Sequence, residues 1–254
     1  MNGKTILIFL LGAFVSGLVF AGITFFSQKS APVPTDVQMS NSIGPRKPVS
    51  IDSPTGGAMP ASVPKSEETP LFVALLSLES DANSIFYVVK RGDNLTRIAK
   101  NNHVTAELLK KINPLSSDSL KPGSKLKIPV YKFSLVVDKS QNTMILKGGE
   151  EVLKTYVVAT GQNNCTPVGV FKVTDKLVKP TWYKAGAVVP YGSPQNVLGT
   201  RWIGLSKKGY GIHGTPEPEK LGRQITAGCV RMRNDEVEEL FGFVLPGTEV
   251  TIVD

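Results

Sequence analysis

Two side chains in the last forty-odd residues have the types and spacing for nucleophilic chemistry. His213 lies in Gly211-Ile212-His213-Gly214-Thr215, and Cys229, sixteen positions on, lies in Ile225-Thr226-Ala227-Gly228-Cys229-Val230-Arg231-Met232. A free thiol has a pKa near ~8.5, so only a few per cent is thiolate at neutral pH. An imidazole within hydrogen-bond reach takes that proton and leaves a strong nucleophile. Gly228 has no side chain to block a substrate backbone, and the backbone N–H groups of Gly228 and Cys229 are candidate donors to a developing oxyanion. The competing reading makes Cys229 a small buried hydrophobe and His213 a core histidine. Glycines flanking both residues, and an arginine two past the cysteine, do not fit core packing.

Those residues need a rigid scaffold. Short β-type runs at Phe133–Asp138, Thr143–Leu146, Thr155–Ala159 and Val168–Val173, bounded by Gly, Asn and Lys turns, predict a β-sandwich or β-barrel. The Gly/Pro-rich stretch 178–195, with Trp182, Tyr183 and Tyr191, has the length of a functional lid. After Met232, Asn234 is placed to cap a helix, with Asp235 and Glu236 in its first turn and Val237, Leu240, Phe241 and Val244 on one face. A strand from Glu249 to Val253 closes the chain.

His213-Gly214-Thr215 followed by Thr226-Ala227-Gly228-Cys229-Val230-Arg231-Met232 resembles the active-site signature of the YkuD-type L,D-transpeptidase family. Thr160-Gly161, Thr166-Pro167-Val168-Gly169 and Asn196-Val197-Leu198-Gly199-Thr200-Arg201-Trp202 are also similar to segments of that family, so the resemblance covers 131–254. It implies acyl transfer on peptidoglycan stem tetrapeptides, with release of D-alanine and formation of 3→3 cross-links. By the same resemblance Cys229 is nucleophile, His213 general base, the Gly214 carbonyl orients the imidazole and Gly228 contributes to the oxyanion site. Arg231 and Thr226 are implied at the substrate, Arg231 being equally open to a structural ion pair, whereas Tyr191 and Trp182 are placed there by the lid-like stretch alone and are equally open to packing over the sandwich edge. Thr226 stands where serine is commoner, and Ala227 where some members carry a second histidine. The acceptor stays open: a stem amine, water (a carboxypeptidase) or a lipoprotein. A non-catalytic glycan-binding wall protein is the rival of another class. A sortase would need TLxTC and a distant downstream arginine, and a papain-like hydrolase would place cysteine before histidine.

Upstream, Tyr87-Val88-Val89-Lys90-Arg91-Gly92-Asp93-Asn94-Leu95 predicts a strand, a glycine turn and a helix capped by Asp93, with Leu95, Ile98 and Ala99 on its inner face. Thr105 caps a second helix carrying Leu108, Leu109 and Ile112, Asn113-Pro114 ends it, and Lys125–Pro129 is a closing strand. This β-α-α-β order resembles the LysM domain, which binds N-acetylglucosamine-containing glycan. The resemblance implies a groove at Gly92, Asp93, Asn94, Leu95, Asn113 and Pro114.

Thr5 to Phe26 is 22 residues without a charge, enough at ~1.5 Å per residue to span a ~30 Å hydrocarbon core. No A-x-A-like site follows, so an uncleaved single-pass anchor with both domains on the cell-wall side is preferred over a cleaved signal. Prolines at 32, 34, 45, 48, 54, 60 and 64 mark an extended linker, and Thr69-Pro70 starts a short helix. The expected organisation is an anchor in 1–30, a linker with a short helix in 31–86, a LysM domain in 87–130 and a catalytic domain in 131–254. The fold class is an all-β catalytic domain with a small βααβ domain and an N-terminal transmembrane helix.

The net charge of +8 is uneven. Residues 87–130 carry nine basic and three acidic groups, whereas 131–254 carry fifteen and twelve. No basic run interleaved with aromatics points to nucleic acid. Two cysteines, Cys165 and Cys229, cannot make a disulfide framework, and a bond between them would consume the nucleophile. Both are expected free, Cys165 near the site or incidental. No metal or cofactor is implied, and the partners are peptidoglycan stem peptides, glycan strands and, through residues 5–26, a membrane.

Overall fold

The computed structural model describes residues 66–184 and 186–254. The apolar stretch 5–26 and the proline-rich linker up to residue 65 lie outside them. Among the described residues no helix is long and apolar enough to cross a membrane.

The segment ahead of the βααβ unit is not a free spacer. Strand β1 (Glu67–Glu68) pairs antiparallel with residues 154–155 of the main sheet. Helix α1 (Pro70–Leu76) follows, its first turn capped by the Thr69 hydroxyl and started by proline. It buries Phe72 and Leu75 completely, while Leu78 lies beyond the helix and is exposed.

Strand β2 (Ser84–Val88) begins three residues before the sequence pattern suggests, and pairs antiparallel with β3 (Lys125–Pro129). Helices α2 (Leu95–Asn101) and α3 (Ala106–Ile112) connect them, burying Leu95, Ile98, Ala99, Leu108, Leu109 and Ile112. Thr105 caps α3 as expected. The cap of α2 is Asn94 rather than Asp93. Asn94 Oδ1 accepts from the Arg97 amide at 2.8 Å, whereas the Asp93 carboxylate is taken up by the Lys90 amide and the Tyr87 hydroxyl, both at 2.8 Å.

The C-terminal part is mostly β. Strands β4 (Phe133–Asp138), β5 (Thr143–Gly148) and β6 (Glu151–Val157) form a meander whose alternating buried positions follow the pleat. β7 (Thr160–Gly161) and β8 (Gly169–Val178) follow, then the hairpin of β9 (Trp182–Lys184) and β10 (Ala187–Val189). β11 (Arg201–Leu205) and β12 (Gly211–His213) are antiparallel, and β13 (Gln224–Thr226) and β14 (Val230–Arg231) flank the cysteine. Helix α4 (Asn234–Phe243) and β15 (Glu249–Val253) complete the chain. Arg233, not Asn234, has the extended backbone of an N-cap; Asn234 is the first helical residue, and its side chain is used elsewhere.

Among the described residues nine strands form one mixed sheet in the order β1-β6-β5-β4-β15-β8-β11-β12-β14. It curls until Ala159, just past β6, bridges Arg231 of β14 through two 2.8 Å hydrogen bonds. The fold is therefore a curled sheet, with the cysteine loop at the point where its ends meet.

One hydrophobic cluster runs through both parts. Phe72 of α1 packs on Phe243 of α4 (ring centroids 5.6 Å), which meets Phe133 of β4 edge-on at 5.3 Å. Around it, Glu239 of α4 accepts from Lys111 of α3 at 2.7 Å, Lys154 of β6 at 2.6 Å and the Tyr156 hydroxyl at 3.1 Å. The Thr105 hydroxyl donates to the Gly242 carbonyl. Lys127 of β3 is fully buried, paired with Asp81 at 2.7 Å and donating to the Ala74 and Ser77 carbonyls. Buried cations are tolerated when paired in this way.

Candidate active site

His213 ends β12, which lies antiparallel to β11 and parallel to β14, with His213 opposite Trp202 on one side and Arg231 on the other. Cys229 leads into β14. Side chains two apart on a strand share a face, so Cys229 stands on the same face as Arg231 and His213. All three line one cavity of about 610 Å³, together with Trp182, Trp202 and Tyr183.

The imidazole Nδ1 lies 2.7 Å from the Gly214 carbonyl oxygen. A carbonyl only accepts, so Nδ1 carries the proton and Nε2 keeps the lone pair. Trp202 stacks on the imidazole, centroids 6.0 Å apart at 21°. The ring is 2 % exposed, and burial depresses its pKa to about 4, with Arg231 adding to the depression and the Gly214 hydrogen bond opposing it. Burial also pushes the Cys229 thiol up, against the Gly211 amide and the Arg231 charge, which pull it down. At neutral pH the resting site is therefore thiol and neutral imidazole, not a preformed ion pair. The thiol donates to the Gly209 carbonyl at 3.7 Å.

Two threonines shape the cysteine turn. Thr226 Oγ1 accepts from the Gly228 amide at 3.1 Å and donates to the Cys229 carbonyl at 2.6 Å. Thr166 Oγ1 accepts from the Gly161 amide at 2.7 Å and donates to the Gly228 carbonyl at 2.9 Å. Gly228 sits at φ +121°, and a Cβ there would come within 2.7 Å of the Tyr210 ring. Only glycine fits both constraints. The Gly228 N–H, expected to face an oxyanion, is spent inside the turn.

Residues 132–252 match the YkuD model, the L,D-transpeptidase catalytic domain, and residues 87–129 match the LysM domain model. The chain is 34% identical over 173 residues to the Bacillus subtilis protein named L,D-transpeptidase YkuD, spanning 65% of this chain and 97% of that one. It is 42% identical over 126 residues to YqjB of the same organism, also named an L,D-transpeptidase, spanning 47% of this chain and 70% of that one. Among solved structures it is similar to the catalytic domain of the Enterococcus faecium L,D-transpeptidase, at 26% identity and a TM-score of 0.40, spanning 48% of this chain and 96% of that one. The chain belongs to the YkuD-type L,D-transpeptidase family.

Within this L,D-transpeptidase domain the residues expected at the substrate divide. Trp182 and Arg231 line the cysteine cavity, and Arg231 lies 3.9 Å from Glu217 with its buried Nε unpaired among the described residues. Thr226 also lines it but is 3 % exposed, its hydroxyl engaged in the turn, so it shapes the loop. Tyr191 lines a separate cavity of about 310 Å³ beside Asn196, Thr200 and Asn234. Cys165 is a free, exposed thiol whose Sγ lies 3.9 Å from the Thr226 carbonyl.

In the LysM domain, Gly92, Asp93, Asn94 and Pro114 reach the surface. Leu95 does not: it is 1 % exposed and belongs to the core. Asn113 is likewise buried, and its amide staples α3 to β3 by donating to the Leu109 and Lys127 carbonyls and accepting from the Lys127 amide. Those two cannot line an open groove with their side chains.

Sequence reasoning missed Trp202, Asp175, Thr166 and Asn234. Asn234 Oδ1 accepts from the Thr200 amide at 3.0 Å and its Nδ2 donates to the Thr215 carbonyl at 3.0 Å, pinning the loop after His213. A hairpin reading of 201–213 would have paired Trp202 with His213 in advance. Thr166 lies in the family-like segment 166–169 and Asn234 has the type of a helix cap, but nothing local in the sequence gives either its contacts here or signals Asp175. Among the described residues no cluster of metal-ligating side chains occurs.

Proposed function

We propose that Cys229 is the nucleophile and His213 the general base of peptidoglycan acyl transfer. The observation that carries this is the Nδ1 hydrogen bond to Gly214, which leaves Nε2 as the basic nitrogen on the cavity shared with the thiol. Nε2 takes the thiol proton as sulfur attacks the carbonyl of the third residue of a stem tetrapeptide. The C–N bond to the terminal D-alanine breaks, the imidazolium protonates the leaving amine, and a thioester remains. The side-chain amine of a neighbouring stem then attacks the thioester and gives its proton to Nε2, and sulfur leaves as thiolate to be reprotonated. The product is a 3→3 cross-link. The Cys229 N–H is the candidate oxyanion donor, and Arg231, with an unpaired buried Nε, is suited to a stem carboxylate. Trp182 walls the donor stem.

The LysM domain holds the enzyme on glycan strands through the exposed loop Gly92-Asp93-Asn94 and Pro114. Residues 5–26 anchor the chain in the bacterial cytoplasmic membrane, with both domains on the wall side. The charge-free length of that stretch supports an anchor.

Mass spectrometry of products from disaccharide-tetrapeptides tests the proposal. Wild type should yield 3→3 dimers and free D-alanine. Tripeptide alone would make water the acceptor and the enzyme a carboxypeptidase. Undiminished product from Cys229→Ala would remove the cysteine from the mechanism.

A further inference from the structure

The row of side chains across β12, β11 and β8 contains a pair that the chemistry above does not use. Trp202 is the direct cross-strand neighbour of His213, and Leu177 of β8 is the neighbour of Trp202 on its other side. Two residues from Leu177 on the same face stands Asp175, whose Oδ2 accepts from the indole Nε1 at 3.1 Å. Space for both is cut by glycine. A Cβ at Gly211 would come within 2.6 Å of the indole, and one at Gly204 would collide with the Asp175 carboxylate. The indole thus has its plane fixed by a bond at one edge, and it lies against the imidazole at 21°.

We propose that Asp175 is a positioning residue for His213: its carboxylate holds the Trp202 indole flat over the imidazole, fixing the ring's plane and keeping water from its outer face. Gly214 constrains the imidazole within its own plane; the indole constrains the direction across it. An aromatic lid of this kind keeps the base neutral by denying hydration to the imidazolium. The charged groups facing this corner are Arg231 from β14 and Asp175 from β8. Arg201 of β11 instead reaches Glu238 of α4, at 3.5 Å. Asp175 works through the indole rather than by its charge, and the two routes have opposite signs. Removing a nearby negative charge lowers an imidazole pKa, whereas removing its cover raises it.

This rests on His213 being the base, but its titration readout does not. The His213 titration is followed by NMR in the whole protein, whose other histidine is His103. Wild type should titrate at about 4. Asp175→Ala should move the midpoint up toward the ordinary value and slow acylation of Cys229 at least ~10-fold, as small misplacements of catalytic groups do. Asp175→Asn, whose amide oxygen still accepts from the indole, should match wild type in both. A midpoint unchanged or lowered in Asp175→Ala, or an Asp175→Asn variant as perturbed as the alanine one, overturns the proposal. Should Asp175→Ala fail to fold, Trp202→Phe, which keeps a ring but drops the bond, must raise the midpoint; no rise is equally fatal. If the titrations behave as stated while Cys229→Ala still makes product, the lid stands and the acyl-transfer reading falls.

Discussion

The Nδ1 of His213 donates to the Gly214 carbonyl oxygen at 2.7 Å, and both belong to one tripeptide, so the proposed base is oriented by its own chain. Among the described residues no carboxylate completes the pair, and the imidazolium of the proposed mechanism has no buried counter-ion there of the usual triad kind. Burial depresses the imidazole to about 4. The acid limb of kcat/KM should therefore fall at about pH 4 rather than near the ordinary value for histidine, because the base is lost only below its folded-state pKa. A limb near 6.5 would mean a hydrated His213.

The same depression has a consequence for stability. The unfolded chain binds a proton on this histidine near pH 6.5 and the folded one near pH 4. Stability from this group is complete above ~6.5 and fades as pH falls toward 4, by about 3 kcal/mol in total. Urea unfolding at pH 7 and pH 4.5 should show that loss in wild type and a smaller one in His213→Phe.

Thr226 and Thr166 hold the cysteine turn through hydroxyls that both donate and accept. Thr226→Ser keeps those bonds and should retain near-wild-type acylation. Thr226→Val removes them while filling the same volume, strands buried amide and carbonyl groups, and should cost about 1–3 kcal/mol in stability and at least ~10-fold in acylation rate. Equal rates for the serine and valine variants would show that the turn does not need the hydroxyl.

Glu239 is the polar hub between α3, α4 and β6. Its loss leaves Lys154, 4 % exposed, with Glu68 as its one carboxylate partner among the described residues. Glu239→Ala should destabilise by about 3 kcal/mol, in the range for breaking one partner of a buried pair. Phe72→Ala, emptying the contact with Phe243, should cost about 3–5 kcal/mol. Thermal unfolding should remain a single transition in wild type, because the hydrophobic core runs unbroken through both parts.

Asn113 staples α3 to β3 from a buried position, so Asn113→Ala should lower stability by about 1–3 kcal/mol. Substituting Pro114 on the surface should leave stability nearly unchanged while altering retention on insoluble glycan. Co-sedimentation together with urea unfolding separates the two effects.

What was legible in the sequence tracks how local the physics is. The β-α-α-β order, the Thr69 and Thr105 caps and β4 to β6 follow from periodicity and capping residues within a few positions. Leu95 shows two kinds of reading in conflict. The 3.6-residue spacing with Ile98 and Ala99 put it in the core, where it lies, while carry-over from the family put it in the groove. Asp93 and Asn94 are both good caps, and the competing bonds to Asp93 from the Lys90 amide and the Tyr87 hydroxyl leave the helix to Asn94. The site splits in the same way. His213, Gly214 and Cys229 lie in two short runs that carry their own chemistry. Thr166, Trp202 and Asn234 act through contacts across 11 to 62 positions that only the folded chain creates.

The most direct test is the intact mass of the protein after incubation with a stem tetrapeptide and no amine acceptor. Wild type should gain the mass of the tripeptide acyl group, on Cys229 and reversible by hydroxylamine, whereas Cys229→Ala should gain nothing. An adduct on the alanine variant, or on Cys165 in wild type, would contradict the assignment of the thiol at 229 as the nucleophile.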